Sequence, residues 1–574
     1  MTLKTGADLL IEQMLIKNIK NIYLYPGGTI SPIIDAAFRN KINLVRPRNE
    51  QGAGYMGLAA SRLEGKTSVI MATSGPGATN MVTPVADAFY DSLPCVIIIG
   101  QIGTSDLDKD KSLRQRGFQE CDTLSIYKSI TKAQFQPRSP IELAKCFVEA
   151  YEIASSGRFG PVLIDAPMNV QREKTTENYI EIEKNIEISE LSDKEKELIN
   201  SFSEAIAKSK RPLIIGGAGI ISSNAISLTR ELVYLKKSAF SASLPALGVI
   251  PTNDELSLGF HGHTGFRASG IAIQQADLLL VLGSRLDVRQ TGSEVNSFAE
   301  NAKIYRIEID ETEIKSARTR IDKTLNMDVS KALALIIENI KSRKIESTDE
   351  WVEYLKNLKL KHRMNDDENQ LKLKPQMLVR KFSDAITDNE TYCVTGVGSH
   401  QHWAARHFEF DYPKRRWFSS CGHGTMGFDL PTAAGLGYLK PDATIVCFVG
   451  DGSFMMNIQE LAYIATLKAK IIIVVMDNER LGIVGQFQKF NWDHDITCEK
   501  QKNPDFAAIS KSFGINSITL KEPKEISNCI NLALKNDGPF LVHALIDTDE
   551  DISPMLLAGH RIDDMWPAFE GSNQ

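Results

Sequence analysis

VGDGSFMMN, residues 449–457, closes one apolar run, and VVMDNERLG, residues 474–482, closes the next. The strand TIVCFVG ends at Gly450 and leaves Asp451 at the carboxyl edge of a parallel sheet, where α/β folds bind ligands. Gly450 and Gly452 let the backbone come close to a bulky group. From Ser453 a helix is expected through NIQELAYIATLK, its free N–H groups suited to a phosphate. The strand IIIVVM then delivers Asp477 and Asn478 to the same edge. Asn478 follows Asp451 by 27 positions (478 − 451), the length of helix plus strand needed to return there. Asp451 and the Asn478 carbonyl are hard oxygen ligands, and a backbone carbonyl near Arg480 adds a third. Two phosphate oxygens and a water complete the octahedron that Mg²⁺ prefers. The pair of stretches therefore predicts a diphosphate held through a divalent cation.

Outward from that point, strands alternate with helical patterns along the chain, as in NIYLYPGG, SVIMATSGPG, RPLIIGGAG, ADLLLVLGSR and YCVTGVG. This predicts an α/β protein of three doubly wound domains with mostly parallel sheets. The domains are expected at residues 1–180, 190–345 and 370–550, with a C-terminal tail at 551–574. Highly charged stretches at 173–200 and 341–372 separate them, the first reading as a linker. The first and third share a layout of small-residue helix, short strand and Gly-rich turn, which suggests a duplicated domain with a different one between.

At 574 residues the chain exceeds one core, and its 43% hydrophobic and 24% charged residues are ordinary for a globular protein. A net charge of −6 without a long basic run favours neither nucleic acid nor an anionic membrane. Ile471 to Met476 is far too short to span a bilayer, and the N-terminus lacks a signal peptide's apolar block. The eight cysteines form no CxxC pair, and a zinc site from His400, His402 and His407 is not expected. A cytoplasmic enzyme acting on small molecules is the expectation.

GDGS, a spacer and DN resemble the cofactor motif of the thiamine-diphosphate enzymes. With YPGGTISPIIDA, RNEQGAGYMG, TSGPGATNMVTPVADAF, GFQECD, GRFGPVLIDAP, ADLLLVLGSRLDVRQTG and GTMGF, the chain resembles the large, catalytic subunits of acetohydroxyacid synthase (acetolactate synthase) nearly end to end. The resemblance implies a pyrimidine-binding, a central FAD-associated and a diphosphate-binding domain. It also implies a site between the first domain of one subunit and the third of another, hence a homodimer or homotetramer, with a small regulatory subunit as a further partner. Glu50, Gln119 and Met426 take the catalytic positions. Glu50 matches the glutamate that hydrogen-bonds N1′ of the aminopyrimidine and so sets up removal of the thiazolium C2 proton. Met426 matches the apolar residue beneath the thiazolium. Pro26, Gly27, Gly28, Ser74, Gly75, Gly77, Gly424, Gly450, Gly452 and Ser453 line the cofactor, and Asp451, Asn478 and Arg480 surround the metal.

In the central domain Gly216, Gly217 and Gly219 follow the strand PLIIG, and Glu308 and Asp310 end the strand IYRIEI. A Gly-rich turn with acids at a later strand end suits a dinucleotide. The resemblance, including Gly283, Arg285 and Arg289, makes it FAD in a mainly structural role.

Departures from the family pattern gather at the acceptor side. Phe487 stands where a Trp is usual and Met168 where a Lys is usual, Asn49 replaces a His, Val288 an Asp, and Ser399, His402 and His423 are further changes. Phe487, Met168, His402 and His423 are expected around the acceptor. Transfer of an acetyl unit from pyruvate to a second 2-oxo acid is favoured by Arg289, a guanidinium suited to a carboxylate. Transfer to a larger ketone, such as a nucleotide-linked ketosugar, fits the lost Lys and Trp. A simple 2-oxo acid decarboxylase or oxidase, or a non-catalytic binding module, completes the alternatives, and retention of Glu50, Asp451 and Asn478 argues against the module.

Overall fold

The computed structural model describes residues 3–568 except 108–112, 178, 180–189, 365–370, 388–389, 493, 495–497 and 499–501. Three six-stranded sheets follow one another along the chain, and within them every neighbouring pair of strands is parallel. The first runs Asn43–Val45, Asn21–Leu24, Ser68–Ala72, Cys95–Gln101, Pro161–Pro167, Ala133–Phe135. The third runs Arg415–Ser419, Thr391–Thr395, Thr444–Gly450, Lys470–Asp477, Phe540–Leu545, Asn516–Leu520. In chain order both read second, first, third, fourth, sixth, fifth, so the two outer domains share one topology. The middle sheet differs: Ser257–Phe260, Ala239–Ala242, Pro212–Gly216, Leu278–Leu282, Lys303–Glu308, Lys323–Asn326, or third, second, first, fourth, fifth, sixth.

Each order reverses beside its first strand, and a crevice opens beyond the strand ends there. In the first sheet it lies between Asn21–Leu24 and Ser68–Ala72, in the second between Pro212–Gly216 and Leu278–Leu282, in the third between Thr391–Thr395 and Thr444–Gly450. The strands are apolar along their length because helices cover both faces; Ile471 to Met476, for example, is buried throughout.

The charged stretches are not simple spacers. Residues 178 and 180–189 of the first lie outside the described residues, but its end opens the helix Asp193–Lys208, where Ser192 and Glu195 form a capping box. The second contains the helix Asp349–Lys361, whose Trp351, Leu355 and Leu358 are buried against the central domain; residues 365–370 lie outside the described set. Of the expected tail, Leu556, Ile562 and Met565 join that same core, and residues 569–574 are not among those described.

The outer domains pack on each other within the chain. The helices Glu50–Glu64 and Asp429–Leu439 approach so closely that a methyl group on Gly435 would fall 2.9 Å from the Met56 Cα. Tyr55 meets Phe428 edge to face at 5.3 Å, and the Arg416 guanidinium donates to the carbonyls of Arg62 and Leu63.

Candidate active site

Asp451 opens a helix one residue after the strand end. That helix, Asp451–Met456, starts two residues earlier than expected and does not run on through NIQELAYIATLK. It breaks at Asn457, whose side chain donates to the Gly427 carbonyl at 2.7 Å and accepts from Asn49 and Gln459. Asp451 is buried. Its Oδ1 accepts from Gly452 N–H at 2.8 Å and its Oδ2 from Asn503 Nδ2 at 2.7 Å. The same amide reaches Asp477 Oδ1 at 2.8 Å, and His543 Nε2 holds Asp477 Oδ2 at 2.8 Å. Burial and then the charge of Asp477 raise the Asp451 carboxyl above the usual range. Burial acts the same way on Asp477 but is outweighed by His543 and Asn503, which hold it low. Asn478 is buried beside this pair, with its Oδ1 3.4 Å from the Arg480 N–H. A buried carboxylate disfavoured as a bare anion, next to amide and backbone oxygens, suits a hard cation. No group of three or more His, Cys, Asp or Glu side chains suited to a metal occurs among the described residues.

His400 fills the crevice of the third sheet. Methyl groups on Gly398 or Gly450 would each fall 2.9 Å from its Nδ1. Its Nε2 is buried without a hydrogen-bond partner, 3.4 Å from Asp429 Oδ1. An orphaned imidazole nitrogen at a strand edge, beside a helix N-terminus, fits a phosphate oxygen. The sequence pattern gave no sign of this role, because the position is defined by one glycine in the turn before its own helix and another at the end of a neighbouring strand.

Met426 sits in a turn between Gly424 and Gly427, both with left-handed backbone. Its methyl group would lie 3.1 Å from a methyl placed on Gly452, so that glycine is what lets the Met426 turn and the Asp451 turn meet. Ser453 Oγ accepts from Gly427 N–H at 2.8 Å and donates to Asp429.

At the first sheet's crevice, Gly27 packs on Thr73, and Thr29 bonds both Thr73 and Ser74. Pro26 and Gly28 flank this turn, and a methyl on Gly28 would meet nothing within 4 Å. Glu50 is the first residue of its helix, which Asn49 caps by accepting from Gly52 N–H. The carboxylate is buried and accepts from Asn80 Nδ2 at 3.0 Å. It lies beneath the Ser74–Gly77 turn, its Oε1 3.6 Å from a methyl placed on Gly77. Gly75, at φ +60°, packs on Gln119, which itself holds φ +61°. Asn80 was missed because it faces Glu50 only through the fold, thirty positions apart (80 − 50).

The residues expected around an acceptor are spread out. His402 is buried, its Nδ1 2.8 Å from Thr264 Oγ1; burial, then the charges of Arg289 and Arg406, push it well below the usual histidine range. His423 stacks on Tyr90 with centroids 5.5 Å apart. Phe487, 51% exposed, meets Trp492 edge-on, and Met168 begins the short helix Met168–Arg172.

A cavity of about 540 Å³ lies where the three domains meet, lined by Gly217, Gly219, Gly283, Arg285, Arg289 and Glu308 among others. These glycines serve first to bring two turns together at the middle sheet's crevice: a methyl on Gly219 would fall 2.6 Å from the Gly283 Cα, and Gly217 packs on the Gly283 carbonyl. Gly216 packs under the Phe240 ring. Glu308 accepts from Arg306 at 3.1 Å and from the N–H groups of Ile309 and Asp310. Asp310 caps the helix Glu311–Lys315 and pairs with Arg158 of the first domain at 3.0 Å. Burial pushes the cavity's His261 and His263 down to about 4.

Three family models match the chain: the thiamine pyrophosphate enzyme N-terminal TPP binding domain at residues 4–126, the central domain at 199–336 and the C-terminal TPP binding domain at 396–544. The acetolactate synthase isozyme 2 large subunit of Escherichia coli is 32% identical over 96% of this chain and 98% of its own. The acetolactate synthase large subunit of Corynebacterium glutamicum is 34% identical over 99% of this chain and 92% of its own. The mitochondrial catalytic subunit of Saccharomyces cerevisiae acetolactate synthase is 32% identical over 98% and 83%. Three parallel α/β domains, the GDG–DN edge and this near full-length likeness place the chain among the thiamine pyrophosphate enzymes, as an acetolactate synthase-like carboligase that forms carbon–carbon bonds with thiamine diphosphate.

Proposed function

We propose that the chain takes pyruvate as donor, releases its carboxyl group as CO₂ and joins the remaining acetyl unit to a second 2-oxo acid. Thiamine diphosphate, when bound, supplies the carbon nucleophile and the electron sink for the carbon that loses CO₂. Asp451, Asn478 and the Arg480 backbone carbonyl would hold Mg²⁺, whose charge would offset that of the diphosphate, and His400 would donate to a phosphate oxygen. Glu50 holds the proton at N1′ of the pyrimidine, and Met426 supports the thiazolium.

The observation that carries the choice of acceptor is the Arg289 guanidinium. It lines the cavity without an ion pair among the described residues, beside His263 and His402, whose imidazoles burial keeps neutral and the Arg289 charge disfavours further as cations. A free guanidinium beside neutral imidazoles suits the carboxylate of a 2-oxo acid. The half-exposed ring of Phe487 favours a second reading, a bulkier ketone such as a nucleotide-linked ketosugar. FAD in a structural role is supported by the 540 Å³ volume and the glycine turns at the middle sheet's crevice, with Glu308 and not Asp310 facing it. The visible spectrum of the purified protein tests it. A catalytic dimer is supported by apolar side chains left open beside the site: Phe118 is 87% exposed, Met456 58% and Trp492 60%. The names of the two bacterial relatives, each a large subunit, support a smaller second subunit.

Competition assays decide between the acceptors. With pyruvate as donor, 2-oxobutyrate is expected to be no strongly preferred acceptor, because an added methylene is worth only about 1–3 kcal/mol even in a close-fitting pocket. Phe487→Trp is expected to raise the preference for 2-oxobutyrate. Under the second reading, the same substitution suppresses ketosugar use and spares pyruvate decarboxylation.

A further inference from the structure

The turn that carries Met426 is held from outside its own domain. Asp87 lies on the helix Pro76–Tyr90 and Asp91 caps its end, four positions later and on the same face. Asp91 takes the N–H groups of the turn's start, Cys421 at 3.1 Å and Gly422 at 2.6 Å, and is itself paired with Arg62 at 2.6 Å. Asp87 is fully buried and accepts the Ser420 hydroxyl at 3.1 Å. The Ser420 oxygen in turn accepts from the N–H groups of Gly424 at 3.0 Å and Thr425 at 2.9 Å. Four of the turn's N–H groups from Cys421 to Thr425 thus end, directly or through one hydroxyl, on two carboxyls of the first domain. Beyond Met426 the turn is fixed by Ser453 and Asn457 of the metal loop. Met426 is suspended between the two anchorages.

The second oxygen of Asp87 and the hydroxyls of Tyr55 and Thr425 are buried together, with the Thr425 hydroxyl placed to pair with the other two. Burial and then the charge of Asp91 raise the Asp87 carboxyl above the usual range, and a protonated carboxyl has a donor to offer those hydroxyls. Its first oxygen still accepts from Ser420.

We infer that Asp87 and Asp91 are positioning residues of the carboligation, setting the height of the Met426 shelf from the first domain through Ser420. The inference rests on the assignment of Met426 to the thiazolium. It predicts that asparagine, which accepts on one atom and donates on the other, replaces Asp87 well and that an apolar side chain of similar size does not.

The test uses the full-length enzyme saturated with thiamine diphosphate and Mg²⁺, with kcat expressed per bound cofactor so that misfolded protein does not count. Asp87→Leu is expected to lower kcat at least tenfold, with KM for pyruvate and cofactor affinity within about twofold of wild type. Asp87→Asn should recover kcat to within about threefold. Ser420→Ala removes only the relay and keeps the test open if Asp87→Leu does not fold; a three- to tenfold loss of kcat is expected. Asp91→Asn, whose amide oxygen still accepts from Cys421 and Gly422, should lose less than Asp91→Leu. Met426→Ala is the reference arm. If it leaves kcat unchanged, the shelf assignment fails. If it lowers kcat while Ser420→Ala and Asp87→Leu stay within twofold of wild type per bound cofactor, the positioning inference is overturned.

Discussion

Asp451 is the one carboxylate among the proposed metal oxygens, and burial already works against its charge. Removing it leaves two neutral oxygens facing a diphosphate, with no anion to draw the cation in. Asp451→Ala is therefore expected to lose thiamine diphosphate retention, with affinity in the presence of Mg²⁺ falling at least a hundredfold in calorimetric titration. An unchanged affinity would remove Asp451 from the site. Asp451 and Asn478 were legible in the sequence because each ends its own apolar run, so local pattern alone aims them at one edge. Asn503, His400 and Asn80 were not. Asn503 arrives from a segment 52 residues downstream of Asp451, and its role exists only because its amide falls between two carboxylates.

At the scale of elements, the glycine turns of the middle sheet serve close packing before any ligand. Gly217, Gly219 and Gly283 were expected to make way for a ligand, yet they first make way for each other. Gly283 also holds φ +52°. An alanine there meets the left-handed backbone and the Gly219 Cα together, each costing about 1–3 kcal/mol. Gly283→Ala is expected to lower the denaturant midpoint of the central domain and to weaken binding in the cavity beside it, as read by intrinsic fluorescence and flavin content. A midpoint equal to wild type would mean that the two turns separate freely. Helix limits were less legible than strands. The run from Ser453 looked continuous because its residues favour helix, and it breaks because Asn457 spends its side chain on Gly427, a partner thirty positions away in the chain (457 − 427). The charge of residues 349–361 likewise masked a helix whose apolar stripe is only Trp351, Leu355 and Leu358.

For the whole molecule, the alternation of strand and helix disclosed the three domains, whereas the shared strand order of the outer two needed the coordinates, since register and neighbours leave no local trace. The contact between those domains is titratable. Glu460 of the third is fully buried and accepts the Arg48 N–H of the first at 3.1 and 3.2 Å, and burial raises its carboxyl to about 7. Between its ordinary value and that one, the folded chain keeps a proton that the unfolded chain has released. The stability this group contributes is thus fully present below about pH 4 and is lost as pH rises towards 7, a change of about 3 kcal/mol. Glu460→Gln has no such proton, so it is expected to gain about that much on wild type between pH 4 and 7 in urea unfolding. A constant difference across that range would show that the Glu460 carboxyl titrates alike in the folded and unfolded chain.

Two domains of one topology on a single chain also have a genetic consequence. If a pair of chains builds each site from the Glu50 edge of one and the Asp451 edge of the other, a lesion in one edge is complemented by a chain with a lesion in the opposite edge. A hybrid of Glu50→Gln and Asp451→Ala chains gathers both defects into one site and leaves its twin intact. Random mixing makes about half of all pairs hybrid, so two separately inactive preparations, unfolded and refolded together, should regain about a quarter of wild-type turnover. A mixture that stays inactive would mean that each chain completes its own site.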